Sequence, residues 1–199
     1  KRGYHGVAAA STSVTGIPEF WDMAGHLMND FLHADTPYWE GTEKAIASLR
    51  SVIEEEGAEN IAAFFAEPVQ GAGGVLIPPS NYFKEVRNLC NEYGILFVAD
   101  EVITGFGRTG KSFGIENWGV TPDLITFAKG VTSGYIPMGG VIVSDSIHNV
   151  LKDKSKGTLF HGFTYSGHPT AAAVALRNID IIEKEGLVAN AKAMGAYLL

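Results

Sequence analysis

Two short apolar runs in this sequence each end on residues that can do chemistry. Ile95-Leu96-Phe97-Val98-Ala99 ends on adjacent carboxylates, Asp100 and Glu101, and Leu124-Ile125-Thr126-Phe127-Ala128 ends on Lys129, followed by Gly130. A lysine amine with apolar surroundings loses part of its preference for the proton and becomes a nucleophile toward carbonyl groups. A carboxylate stabilises whatever cation it faces. Both runs have the β-branched and aromatic content of buried strands. As neighbours in a parallel sheet they would deliver acid and amine to one edge, and the carboxyl edge of an open α/β sheet is where ligands bind. An acid and a lysine converging on one crevice is what a cofactor with a Schiff-base lysine and a cationic ring nitrogen requires.

The loop between the two runs invites a different reading. Gly105-Phe106-Gly107-Arg108-Thr109-Gly110-Lys111-Ser112 satisfies both G-x-x-x-x-G-K-[ST] and G-x-G-x-x-G. Both patterns need a strand directly before the glycines and a helix directly after them. Here the strand has ended at Asp100, and Gly114, Gly119 and Pro122 follow Ser112, a poor start for a phosphate-capping helix. A P-loop nucleotide-binding protein using Gly105 to Ser112 is therefore the alternative function. A glycine loop without chemistry of its own, tied by Arg108 hydrogen bonds, fits the context better.

The flanking sequence supplies the elements. The small-residue segment Val7 to Gly16 suits a helix start or a loop, and Ile17 to Trp39 reads as a long irregular loop in which His26 and His33 lack partners at metal spacing. Ala45, Ile46, Leu49, Val52 and Ile53 place one apolar stripe on a helix over Thr42 to Glu56, ended by Gly57. A strand over Ile61 to Ala66 stops at Glu67-Pro68. Ser80 then caps a helix whose inner face is Phe83, Val86, Cys90 and Tyr93. Gly139 to Val143 adds a fourth strand. Lys152 to Lys156 is charged and solvated, and Phe163 to Pro169 is a compact polar loop in which His168 makes loop hydrogen bonds, as His161 does nearby. Ala171, Val174, Ala175, Asn178 and Ile182 begin a long helix that Gly186 interrupts. Alternating units of this kind predict an α/β fold with a mostly parallel central sheet and flanking helices.

Composition narrows the function classes. The 199 residues suffice for one sizeable α/β domain, and a net charge of −7 argues against nucleic acid or an anionic membrane as partner. No apolar run is long enough to span a bilayer and no signal-peptide pattern is present, which points to the cytoplasm. The lone Cys90 offers neither disulfide nor thiolate cluster and reads as a core thiol, so no metal site is expected. The chain starts without methionine and ends on a helical pattern, and it reads as an internal piece of a longer protein.

The segments Tyr4-His5-Gly6, Glu67-Pro68-Val69-Gln70-Gly71, Asp100-Glu101-Val102, Gly105 to Gly110, Lys129-Gly130 and Phe163-Thr164-Tyr165 occur in an order that resembles the class III (ω-) aminotransferases, over essentially all 199 residues. The resemblance implies the large domain of a fold-type I pyridoxal 5'-phosphate enzyme. By it, Lys129 forms the Schiff base with the cofactor, Asp100 pairs with the pyridine nitrogen, and Val102 and Tyr4 pack on opposite ring faces. His5 and Glu67 fall in cofactor-binding segments, with Glu67 either among the surroundings of Asp100 or capping a loop. Thr164 reaches the cofactor phosphate of a neighbouring subunit, so a homodimer or dimer of dimers with shared sites is implied. Ile103 and Ala72 stand where ornithine-type members carry glutamine and glutamate, and both resemble the ω-amine:pyruvate branch. That branch moves an amino group from β-alanine, taurine or putrescine-class donors to pyruvate or a similar 2-oxo acid. The family's phosphate-binding glycine-serine loop and substrate-carboxylate arginine fall outside residues 1–199, as does its small C-terminal domain.

Overall fold

The computed structural model describes residues 1–155 and 159–199. The chain forms two compact units, one of Lys1–Asp100 with Trp118–Val120 and one of Glu101–Asn117 with Thr121–Leu199.

In the first unit the small-residue segment resolves as a short helix, α1 (Ala9–Val14). The stretch expected to be irregular is broken by a single turn, α2 (Pro18–Trp21), with Pro18 at the position where its missing N–H costs nothing. Trp21 Nε1 donates to Thr15 O at 2.7 Å, and its ring lies tilted against His33 at 5.0 Å; His33 makes the ordinary polar contact expected of it, to Val14 O. Helix α3 (Pro37–Glu56) is broken at Gly41 (φ 82°, ψ 176°), so its regular part starts at Thr42 as the apolar stripe predicts. Ala45, Leu49 and Ile53 form its buried face, and Gly57 terminates it.

Strand β1 (Ala63–Ala66) connects through α4 (Tyr82–Tyr93) to β2 (Leu96–Asp100), and the two strands pair in parallel from Ala63↔Leu96 to Ala66↔Ala99. The helix starts one residue later than Ser80 would place it. Asn81 is the N-cap position, but Thr42 Oγ1 donates to its Oδ1 at 2.6 Å and no side-chain cap bond forms. The core is aromatic. Phe83 stacks on Phe97 at 5.7 Å and meets Trp118 edge-on at 5.2 Å, with Val86, Leu89 and Cys90 closing the layer. Phe83 is 1% exposed, so Phe83→Ala would cost about 3–5 kcal/mol in lost transfer energy and cavity. Cys90 is the core thiol expected.

In the second unit, β3 (Leu124–Phe127) and β4 (Gly140–Val143) pair antiparallel, Leu124 opposite Val143 and Phe127 opposite Gly140. No α-helix intervenes between them; the connection runs through a 3-10 turn, and without a crossover helix a strand returns antiparallel. Helix α5 (Asp145–Lys154) takes in Lys152 to Lys154 of the stretch expected to be charged and solvated, and these three are exposed; Lys156 lies outside the described residues. Then come α6 (Pro169–Lys184) and α7 (Leu187–Leu198), separated at Gly186 as expected. His168 caps α6, its Nδ1 accepting from Ala171 N at 3.3 Å. Gly105 to Ser112 forms turns followed by the 3-10 segment Gly114–Trp118, so the P-loop alternative lacks its helix. Arg108 is exposed and ties nothing among the described residues.

Candidate active site

At the carboxyl end of β2, Asp100 is 6% exposed. His5 Nδ1 lies 2.7 Å from Asp100 Oδ2, and both side chains are more than nine-tenths buried. Facing a carboxylate oxygen, Nδ1 carries the proton and donates. The segment bearing His5 is fixed from three sides. Tyr4 N donates to Glu67 Oε1 at 2.8 Å, His5 N donates to Thr15 Oγ1 at 2.9 Å, and the imidazole meets Phe65 edge-on at 5.4 Å. A Cβ on Gly3 would stand 2.9 Å from His5 Nε2, so the glycine makes room for the ring.

Glu67 joins both readings that the sequence left open. Its Oε2 also accepts from Gly71 N at 2.9 Å, so the carboxylate clamps the loop after β1 to the Tyr4 segment. Burial pushes its carboxyl above the ordinary range, against the two backbone N–H groups that favour the anion; nearby His5 pulls it down and Asp100 pushes it up. The Tyr4 ring lies tilted on Phe20 at 5.2 Å. Next to this cluster is a cavity of about 600 Å³ whose walls include His5, Leu32, Tyr38, Phe64, Phe65 and Glu67.

In the second unit Glu101 turns out to be a scaffold. It is wholly buried, and its oxygens accept from Thr104 Oγ1 at 2.5 Å, Gly114 N at 2.7 Å and Ile115 N at 2.7 Å. Burial raises its carboxyl above the usual range despite these donors. The adjacent carboxylates have thus divided their work, and Glu101 folds the glycine loop. Val102 lies in the turn that begins that loop.

Lys129 follows β3 and has a left-handed backbone, φ 41°, at the first residue of the 3-10 turn Lys129–Thr132. Its side chain is exposed, so the burial expected of a nucleophilic amine is not supplied within this unit. Lys129, Thr132, Ile136, Pro137 and Met138 wall an open hollow of about 570 Å³. The turn is tied down by Asn178 of α6, whose Nδ2 donates to Gly130 O at 2.8 Å and Val131 O at 3.0 Å. Thr164 sits exposed in a turn between Phe163 and Tyr165, which are 74% and 77% exposed.

Of the residues singled out from the sequence, the structure brings Tyr4, His5, Glu67 and Asp100 together in one unit. Lys129, Val102 and Thr164 stand on separate elements of the other. Sequence reasoning missed Thr15 and the Asn178 contacts. Asn178 had a signal, a polar side chain on the small-residue face of a helix.

A family model for class-III aminotransferases matches residues 1–199. A putrescine–pyruvate aminotransferase of Pseudomonas aeruginosa is 48% identical over 207 residues, covering 99% of this chain and 45% of that protein. A transaminase from the marine bacterium Virgibacillus is 75% identical with a TM-score of 0.98, over 100% of this chain and 45% of its own. An amine transaminase from an uncultivated Pseudomonas species, in its PLP-bound internal aldimine form, is 43% identical with a TM-score of 0.95, over 100% and 48%. The chain spans less than half the length of these relatives. The α/β fold expected from the sequence is the fold of these transaminases, and the chain belongs to the class-III aminotransferases, a family of pyridoxal phosphate enzymes.

Proposed function

We propose that the protein carrying this chain is a transaminase that moves the amino group of an ω-amino acid or amine to pyruvate or a similar 2-oxo acid. The observation that carries the reading is the buried His5–Asp100 pair at the end of β2. A carboxylate held this far out of water stabilises a cation that it faces, and a protonated ring nitrogen is such a cation. The donor set therefore fits pyridoxal phosphate: Asp100 for the ring nitrogen, Lys129 for the carbonyl carbon, Val102 and Tyr4 for the ring faces, with His5 and Glu67 behind them.

Bound there, pyridoxal phosphate supplies the electron sink for the carbanion left when the substrate carbon loses its proton. The residues of this chain do the rest. Asp100 holds the proton on the ring nitrogen, because an opposite charge in a dry site favours the cation. His5 holds Asp100 in place through Oδ2, and Glu67 holds the backbone that presents His5. Lys129 Nζ, once released, removes the proton from the amine-bearing carbon of the substrate.

Residues 1–199 form most of the cofactor-binding large domain in this reading. Thr164, on an exposed aromatic turn, serves the cofactor phosphate of a second copy, which makes a homodimer the smallest active assembly. The donor class of β-alanine, taurine or putrescine rests on Ala72 and Ile103 and on the likeness to a protein named for putrescine and pyruvate. No helix among the described residues is long and apolar enough to cross a membrane.

An absorbance spectrum tests the reading. A yellow protein that bleaches with borohydride, with the label on the Lys129 peptide, is expected; a colourless protein that binds nucleotide through Lys111 would refute it. A panel of amines with pyruvate then ranks the donors.

A further inference from the structure

We infer that Asn178 is a positioning residue for Lys129, a staple that keeps the lysine's backbone in its left-handed conformation. The inference rests on the assignment of Lys129 made above. A non-glycine residue at φ 41° crowds its Cβ against the backbone and persists only where its surroundings over-determine it. Ser133, at the other end of the same turn, is also left-handed at φ 50°. One side chain reaches across the segment between them. Asn178 Nδ2 spends both hydrogens on consecutive carbonyls, Gly130 O at 2.8 Å and Val131 O at 3.0 Å, while Oδ1 accepts from Ser133 Oγ at 2.7 Å. Three of the four hydrogen bonds that an amide can make are thus committed to one turn.

The anchor is firm. Asn178 lies on α6 one helical step beyond Ala171 and Ala175, the buried face of a 16-residue helix, so the amide is held by a rod and not by a loop. A second bond secures the far side of the turn, Thr132 Oγ1 to Ile136 O at 2.6 Å. The backbone of Lys129 sets the direction in which its four-carbon stem leaves. If the turn relaxed toward negative φ, the Cα–Cβ vector would swing and carry Nζ with it. An amine that must both hold a cofactor and move a proton depends on placement finer than an ångström. A mere tie between helix and turn would affect melting alone.

The test is made in the holoenzyme, with Asn178→Ala, Asn178→Asp and, as a control on the exposed side of the same helix, Arg177→Ala. Borohydride trapping with peptide mass first locates the modified lysine in the wild type. Measured well below each melting midpoint, both Asn178 variants are expected to lose about tenfold to a hundredfold in kcat with a much smaller change in KM. The visible circular dichroism of the cofactor band, which reports how rigidly it is held, is expected to weaken in the same two. Asp at this position keeps an acceptor for Ser133 but loses both donors, so it should not rescue. Arg177→Ala should leave kcat and dichroism unchanged. If Asn178→Ala does not fold, Asn178→Asp decides by the same readouts. A label on another lysine in the wild type overturns the Lys129 assignment and the staple together. A label on Lys129, with kcat and dichroism unchanged in a folded Asn178 variant, overturns the staple alone.

Discussion

His5 and Asp100, 95 residues apart in sequence, share a hydrogen bond of 2.7 Å in which both side chains are almost wholly buried. Replacing Asp100 with asparagine keeps the shape and removes the charge. The expected loss is about 3 kcal/mol of transition-state stabilisation, the scale of removing one preorganised electrostatic partner. Single-turnover rates should fall far more than affinity for pyridoxal phosphate. His5→Ala leaves the carboxylate in place and removes the His5 hydrogen bond, and a loss of about tenfold is expected. Unchanged single-turnover rates in Asp100→Asn would move the electrostatic role elsewhere.

Lys129→Ala should abolish turnover while the melting curve is kept, since the side chain is exposed and alanine removes no packing. The left-handed backbone at this position gives alanine no more strain than lysine already bears. Near wild-type activity, with borohydride trapping at another lysine, would contradict the assignment.

Glu101 gives a pH dependence whose sign is fixed. Burial raises its carboxyl in the folded state above the usual value of 4.5, so between 4.5 and the raised value the folded chain holds more protons than the unfolded one. Stability therefore falls as pH rises through that window. Glu67 acts with the same sign. In Glu101→Gln the slope of unfolding free energy against pH should shrink but not vanish. The variant should also lose about 1–3 kcal/mol, because the new amide turns a donor toward the N–H of Gly114 or Ile115. Denaturant titrations at several pH values measure both, and an unchanged slope would show that Glu101 does not titrate there.

The proposed exchange of Thr164 between subunits makes a demand on mixed dimers. A Lys129→Ala subunit paired with a Thr164→Ala subunit has one site with both residues intact and one with neither. Purified hybrids should show about half the wild-type activity, given two symmetric sites. If Thr164 served its own subunit, every hybrid site would carry one defect and activity would not exceed the parental average.

The local elements were legible where periodicity is strong. The stripe from Ala45 to Ile53, the strand ending at Asp100 and the break at Gly186 all follow from period and punctuation. Helix α5 was not, because its apolar stripe, Ile147, Val150 and Leu151, is only about one turn long. The site was half legible. Strand-end position marked Asp100 and Lys129, but nothing local links His5 to Asp100 or Asn178 to the lysine turn. Those are meetings between elements, and only packing decides them. Glu101 shows the same limit from the other side: two adjacent acids look equivalent until one is found facing three donors.

The glycines that imitate a phosphate loop are constrained by a helix. A Cβ on Gly107 would stand 3.2 Å from Val188 Cγ2, and one on Gly110 would stand 2.8 Å from Lys192 Cβ; both glycines also have positive φ. Steric fit to α7 thus accounts for two glycines of a nucleotide-binding signature without a nucleotide. A saturation scan of the loop would expose the counterfeit. Positions 107 and 110 should tolerate almost nothing, while the exposed Lys111, indispensable in a true phosphate loop, should accept nearly any side chain.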